Sequence, residues 1–532
     1  MSALTGTWTL TRFALRRDRV RLAVWTVALA GTTAASIPAL DDTFTSQEER
    51  QARAQLIETP TGVVFGGPGY GVDDYTLSRM LVNELTMSLL LALAVMSVLH
   101  VVRHTRAEEE SGRTELLRAG VVGSAAQTTA ALLTLSLVNL VVGGLVTAAM
   151  TAYGLSVADS AAYGLGVALA GITFGAIASV CAQVSEHARS ASGLAFLAVG
   201  VLYMVRVVGD IEERGGTPLS WFSPFAWVQQ TRPFVDLRWE PLALYGVVVL
   251  VLLAVSHVLA GRRDVGAGLV ASRPGRPQAG RLLSGPLTLH LHQQRGAILA
   301  WTVAVFAFAY AFGTLASQVR EMLDGNPDLA AILGDAGDDV INGFLAMIGV
   351  YVVMAASAYG ALSVLRAHTE EGAGRAELVL STAVGRAQWL GAALVVAALA
   401  SVLITVVGGL GLGLGASVAL VEADWTWRTV GSVLAQLPAA LTFGALAALL
   451  YGTAPRLLPL LWQWFAYSLV ATMLGGLFHF SERVMDLSAF EILPRPPVDE
   501  FDPARFLLYL GAVLLAGSVA LLGFRGRDLV SN

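Results

Sequence analysis

Lysine is missing from this 532-residue chain, whose 34 basic residues are all arginine. The absence excludes a Walker A phosphate loop, which needs a lysine to reach the phosphates, and it fits a GC-rich coding bias. Cysteine is nearly missing as well. Cys181 stands alone in an apolar stretch, so no internal disulfide can form and a buried structural thiol is expected. Charge of either sign is scarce: 14% of residues are charged and 55% hydrophobic, against about 25% charged in a soluble domain. That composition excludes a water-soluble enzyme. The net charge of -5 offers nothing to a nucleic acid, and no nucleophile, base and oxyanion donor can be assembled from the spacing of the polar residues.

What remains is apolar sequence in long runs. A membrane-spanning helix needs roughly 20 predominantly apolar residues, and the chain accommodates about twelve of them: 22–40, 79–102, 124–152, 161–183, 191–209 and 241–260, then 297–316, 343–365, 387–420, 429–452, 458–478 and 505–524. The first run follows Arg16, Arg17, Arg19 and Arg21, as a secretory signal would, but it exceeds the roughly 7–15 residues of a signal core. It reads as the first membrane helix. The fold class is therefore an all-α polytopic membrane protein. With the N-terminus in the cytoplasm, about two-thirds of the arginines fall on that side, as the positive-inside rule requires, and both termini are expected to be cytoplasmic.

The chain repeats itself. Leu22–Val27 matches Ile298–Val303, Gly112-Arg113-Thr114-Glu115-Leu116 matches Gly374-Arg375-Ala376-Glu377-Leu378, Leu219–Phe222 matches Leu487–Phe490, and Arg263-Asp264 matches Arg527-Asp528. The four matches come in one order and at nearly equal separations, which coincidence does not explain. The expected organisation is a six-helix half over 1–265, a cytoplasmic linker over 266–290 containing Pro274-Gly275-Arg276-Pro277, and a second half over 291–532. Six helices per half make the two run in the same direction through the membrane.

The sharpest signal is the repeated acidic motif after the second helix of each half, Glu108, Glu109, Gly112, Arg113, Glu115 and Leu116, then Glu370, Glu371, Gly374, Arg375, Glu377 and Leu378. One copy alone would pass for a solvated loop; the duplication suggests a short helix presenting charge to a partner. The stretch Trp8–Arg21 reads as an amphipathic helix on the inner surface. Its counterpart carries His290 and His292, which at i, i+2 do not share a helical face, so no metal site is expected. The outer segment 210–240 holds Trp221, Phe222, Trp227 and Trp239, either an interfacial belt or a re-entrant pair. Gly408–Gly415 lies inside an apolar run with no preceding strand and is explained by close helix packing, not by nucleotide binding. Asn139, Gln436 and Gln463 are expected to hydrogen-bond between helices. Ionisable residues avoid the helix centres: Glu84 and Arg206 fall near outer ends, His100 and Cys181 near inner ones.

The two Glu-Glu-x-x-Gly-Arg-x-Glu-Leu segments, the stretch from Leu219 to Phe234 and the closing Arg527-Asp528-Leu529 resemble the fused-permease branch of the ABC-2 type transporters, the actinobacterial "exporter of polyketide antibiotics" group, over nearly the whole chain. The resemblance implies two tandem six-helix ABC-2 (type V exporter-like) units in a bacterial plasma membrane. It implies an exporter of hydrophobic or amphipathic compounds such as antibiotics or drugs, driven by two copies of a separately encoded ABC ATPase. ATP and Mg would be bound by that ATPase, and no cofactor by this chain. The acidic motifs would be its coupling helices, pushed when the ATPases close so that the halves rock between inward- and outward-open states. Met87, Phe196, Tyr203, Tyr351, Phe465 and Tyr467 would lie along a substrate pathway between the halves, although helix packing explains any one of them equally well. The rival readings are a proton-coupled secondary drug antiporter, which the uncharged helix centres oppose, and a non-transporting membrane partner protein.

Overall fold

A computed structural model describes residues 2–213, 215–270, 278, 280, 283–324, 337–474 and 481–528. Pro274–Pro277 of the expected linker and Leu529 of the closing motif lie outside the described residues. The chain divides into two compact units, Met1–Gly275 and Arg276–Asn532. The described residues form helices and no strand. In lipid no water satisfies the backbone, so each apolar segment must close its own hydrogen bonds.

In the first unit the helices are α1 (Thr7–Arg17), α2 (Arg19–Thr43), α3 (Gln47–Ile57), α4 (Pro60–Gly66), α5 (Leu77–His104), α6 (Arg106–Glu110), α7 (Arg113–Arg118), α8 (Ala126–Ala152), α9 (Val157–Val184), α10 (Ala188–Glu212), α11 (Pro224–Gln230) and α12 (Glu240–Ala260). The second unit has α13 (Pro286–Gly313), α14 (Ala316–Asp324), α15 (Gly337–Gly372), α16 (Arg375–Leu380), α17 (Arg386–Leu420), α18 (Trp425–Ala435), α19 (Leu437–Thr453), α20 (Leu458–Leu474), α21 (Glu482–Met485) and α22 (Pro503–Gly526). Eleven helical segments among the described residues are long and apolar enough to cross a membrane, which makes this a multi-pass membrane protein. The span expected over 458–478 is described as helix to Leu474, with 475–478 outside the described residues. The span expected over 429–452 is two helices, broken at Gln436 ahead of Pro438, because proline removes a backbone donor and crowds the preceding turn.

Within the first unit α9 is the centre, packed against α5, α8, α10, α11 and α12. Small residues make this possible. A Cβ on Gly164 would stand 2.1 Å from Thr147 Oγ1, and one on Gly143 would stand 2.2 Å from the Gly164 carbonyl oxygen. In the second unit the glycine string of α17 serves the same end. Gly415 approaches the Tyr310 carbonyl of α13, Gly408 faces Val352 of α15, and Gly413 faces Thr429 of α18. Of the polar residues expected between helices, Asn139 instead donates to Leu135 of its own helix, and Gln463 is exposed.

At the end of the first unit away from the acidic motif, α3 and α4 fold over the start of α5. Arg53 holds Glu84 through two bonds of 2.7 and 2.9 Å. Arg206 donates to the Val63 and Val64 carbonyls at 2.7 Å, satisfying carbonyls near the end of α4 that the helix leaves free. The segment 210–240 contains the turn Pro218–Phe222 and then α11. All of α11 is buried, while Trp221, Phe222 and Trp239 are exposed.

Adjacent glycines on α8 give a test of this packing. Gly143→Ala should lower stability by roughly 1–3 kcal/mol through overpacking, whereas Gly144→Ala, whose added Cβ meets nothing within 4 Å, should be neutral or slightly stabilising. Thermal unfolding in one detergent compares the two; equal effects would remove the close α8–α9 contact as the explanation.

Candidate functional site: the paired acidic motifs

The motif forms where the second spanning helix of each unit must turn. In the first unit α5 ends at His104, α6 follows, and Gly112 at φ +74° starts α7. In the second unit α15 runs to Gly372 and Gly374 at φ +71° starts α16. Nothing lies within 4 Å of a Cβ built on either glycine, so the requirement is for the left-handed backbone and not for space.

The carboxylates divide into two groups. Glu109, its side chain only 9% exposed, accepts from Arg106 at 2.7 Å and from both terminal nitrogens of Arg263 at 2.8 Å. Glu371 accepts from Arg527 at 2.8 and 2.6 Å and from the Tyr451 hydroxyl at 2.5 Å. These are equivalent pairs: in the register that aligns the two acidic motifs Glu109 becomes Glu371, and in the register of the closing Arg-Asp pairs Arg263 becomes Arg527. Each joins the end of the unit's second spanning helix to the residues following its last. Arg106 extends the first clamp by donating to the carbonyls of Glu186, Gly266 and Ala267. Glu108 pairs with Arg17 at 2.8 Å and Arg113 at 3.6 Å, and Glu370 with Arg375 at 2.7 Å.

The other group faces outward. Glu115 and Glu377 are exposed, and so are the leucines beside them, Leu116 at 78% and Leu378 at 73%. Thr114 and Ala376 form the buried side of the same helices. Thus Glu115, Leu116, Arg113 and their repeats Glu377, Leu378 and Arg375 present one mixed apolar and charged surface per unit, while Glu109 and Glu371 are withdrawn into ion pairs. The spacing of the motif alone did not distinguish these groups. The signal that could have was the repetition of the closing arginines, Arg263 and Arg527, in step with the motif.

Beside the first motif, Asp18 accepts from His104 Nε2 at 2.7 Å and from Arg103 at 3.3 Å, while His104 Nδ1 receives Arg17 at 3.1 Å. Asp18, His100 and His104 are the metal-competent group found among the described residues, with ligand atoms within 4.8 Å of one another. Two guanidiniums oppose a divalent ion there, and the proton on His104 Nε2 is committed to Asp18. Burial pushes the Asp18 carboxyl up, but the hydrogen bond from His104 and the charges of Arg103 and Arg17 outweigh it and hold the pKa below the usual value. His290 is buried against Trp389 and His292 is exposed, on separate faces as their spacing requires.

The residues expected along a substrate path are dispersed within each unit. Met87 lies in the packed core of the first unit. Tyr203 is buried with its hydroxyl on the Val64 carbonyl at 2.6 Å. Phe196 and Tyr351 are half-buried. Phe465 stacks edge-on with Phe443 and Phe490, and Tyr467 donates to the Val484 carbonyl at 2.5 Å.

Removing a guanidinium from a largely buried pair costs at most about 3–5 kcal/mol, and less here because Arg106 stays on Glu109 and the Tyr451 hydroxyl on Glu371. Arg263→Met and Arg527→Met should each lower the thermal midpoint by an amount corresponding to that loss, and unchanged midpoints would show that the clamps carry no stability. The Asp18 contacts have a pH signature. A depressed folded pKa contributes stability above the unfolded value of about 3.9 and loses it as pH falls through the lower folded value. The hydrogen-exchange protection of α1 owed to Asp18, read as the difference between the native chain and Asp18→Asn after correction for intrinsic rate, should therefore be constant from about pH 8 to about pH 5 and vanish only below about pH 4. Asp18→Asn should raise the exchange of α1 already at neutral pH.

Two comparisons bear on what this arrangement belongs to. The sequence family described as "Multidrug efflux system permease Rv1217c, C-terminal domain" matches residues 9–259 and 283–525. The multidrug efflux system permease protein Rv1217c of Mycobacterium tuberculosis (strain ATCC 25618 / H37Rv) is 34% identical over 537 residues, covering 99% of this chain and 96% of that protein. With the family matched across both units and a full-length relative at this identity, the chain belongs to the Rv1217c family of multidrug efflux system permeases.

Proposed function

We propose that this chain is the transmembrane subunit of an ATP-driven exporter of ABC-2 type, moving hydrophobic or amphipathic compounds such as drugs or antibiotics out of a bacterial cell. The carrying observation is the exposed Glu-Leu pair on each short helix, Glu115-Leu116 and Glu377-Leu378. An apolar side chain left in water beside a charge suits a protein partner better than it suits a solvated loop. Each helix would receive one copy of a separately encoded ATPase, which binds the ATP and Mg that a chain without lysine has no Walker loop to hold. The arginine distribution supports placing this end and both termini in the cytoplasm.

The proposed transmission is mechanical. A push on α7 or α16 meets a helix whose neighbour is clamped, through Glu109–Arg263 or Glu371–Arg527, to the segment after the unit's last span. In the first unit Arg17 also ties α1 to Glu108. The displacement is thus handed to whole spans and not absorbed by a loop. Among the path residues, the half-buried Phe196, Tyr351, Phe465 and Tyr467 fit contact with a hydrophobic substrate, while Met87 and Tyr203 fit support of the packing.

Reversing the exposed charges tests this directly. Glu115→Arg with Glu377→Arg should cut partner-dependent transport by about tenfold or more, the loss expected for central interface residues, with thermal stability unchanged because both side chains are exposed. Full transport in the double variant, or efflux by the chain alone under a proton gradient, would overturn the reading.

A further inference from the structure

The first unit carries a groove of about 750 Å³ between the chain's first residues, the start of α8 and the end of α12. That volume is in the range of small-molecule sites. One wall is a short backbone pairing, in which Gly123 donates to the Thr5 carbonyl at 2.9 Å and Ala125 to the Ala3 carbonyl at 3.0 Å. The groove runs from the ends of the two spans, at Ser124 and Gly261, past Thr128 to Leu132 and Leu253. At 1.5 Å per residue this is about 12 Å along each helix, inward from the ends of two spans.

Its chemistry is graded along that length. The mouth carries the Arg118 guanidinium and the His257 imidazole, and no carboxylate is among the lining residues. Among the described residues Arg118 has one long contact, 3.4 Å to the Ser124 carbonyl. His257 has no side-chain hydrogen bond among the described residues. α8 begins with no side-chain cap; its Ala125 and Ala126 amides already donate to the Ala3 and Gly123 carbonyls, and what the helix start adds to the groove is the positive end of its dipole. Farther in, Leu132, Leu133 and Leu253 make most of the lining, with Ser136 beyond them on α8.

The second unit shows that the fold does not require such an opening. In the register that aligns the acidic motifs, Arg118 and Thr128 become Leu380 and Leu390; in that of the closing Arg-Asp pairs, His257 and Ala260 become Leu521 and Phe524. There these side chains form one apolar cluster, with Leu390 and Phe524 fully buried and Leu380 and Leu521 packed on them. What is a closed hydrophobic contact in one repeat is an open, basic, hydroxyl-lined groove in the other.

We propose that this groove binds an anionic phospholipid, with the phosphate held by Arg118, His257 and the start of α8 and an acyl chain lying along Leu132 and Leu253. A basic pocket between spanning helices at the headgroup level is suited to an anionic lipid head, and the graded lining accepts the whole amphiphile, where a soluble anion would leave the leucines unused.

The test is native mass spectrometry of the full chain released from bilayers of mixed phosphatidylglycerol and phosphatidylcholine; it needs neither transport nor a partner, so it stands apart from the exporter reading. The native chain should retain phosphatidylglycerol preferentially. Arg118→Leu with His257→Leu, which installs the residues of the second repeat, should abolish the preference. Arg118→Gln, a milder change at an exposed side chain, should reduce it by about fivefold, the factor for one cation near a headgroup, and it decides the question if the double variant does not fold. Equal retention of both lipids by the native chain, or an undiminished preference in Arg118→Gln, would overturn the proposal.

Discussion

Each unit is closed by one ion pair, Glu109 with Arg263 and Glu371 with Arg527. A bundle of apolar helices has little to fix the register of its ends, because between lipid-exposed spans the hydrophobic effect offers no preference and packing alone decides. A buried carboxylate beside a guanidinium does have a preference. Leaving either charge alone at low dielectric is far more costly than pairing it, so the residues after the last span must return to the end of the second. Everything placed around the clamp inherits its position: the turn at Gly112 or Gly374, the short helix it starts, and the exposed leucine that helix presents.

This arrangement explains why a motif with so many carboxylates has only part of its charge available. In the first unit Glu108, Glu109 and Glu110 are all engaged, the last by the Ala188 amide at 2.9 Å and by His187. Among the described residues Glu115 alone of the motif's glutamates faces outward without such a partner. The geometry shared by the two units therefore consists of two adjacent functions, an inward group that anchors and an outward group that can be recognised, separated by a glycine whose left-handed backbone redirects the helix.

The spans and the repeat were legible because both are written in one dimension. Apolar length sets a spanning helix, and repeats at nearly equal separations are visible without any structure. The glycine string of α17 was legible for a related reason, since glycine without a turn inside an apolar run has few explanations but contact. The break at Gln436 was marked by Pro438 but lost within a continuous hydrophobic run. The ion pairs were not legible as pairs, although both partners recur in the sequence: Glu109 and Arg263 are 154 residues apart, and nothing local to either names the other. The helices α3 and α4 escaped for a different reason. Their positions are held by Arg53–Glu84 and by Arg206 reaching the Val63 and Val64 carbonyls, tertiary contacts that no periodicity reports.

The departures between the units follow from single residues in the same register. In the alignment that places Trp25 on Trp301, Arg17 becomes Gln293 and Asp18 becomes Gln294. In the first unit Asp18 interrupts the helix, bonding His104 and leaving α1 as a separate element tied down by Arg17 to Glu108. In the second, Gln294 accepts from Tyr359 at 3.1 Å and Ser363 at 2.7 Å, and α13 runs unbroken into the membrane. Glu370, which has no arginine at the position of Arg17, takes Arg375 through two bonds of 2.7 and 2.8 Å, where Glu108 holds the matching Arg113 only at 3.6 Å. The same acidic position thus secures a neighbouring helix in one repeat and its own short helix in the other. An amide in place of a guanidinium decides which, because the neutral Gln293 offers Glu370 no charge where Arg17 pairs with Glu108.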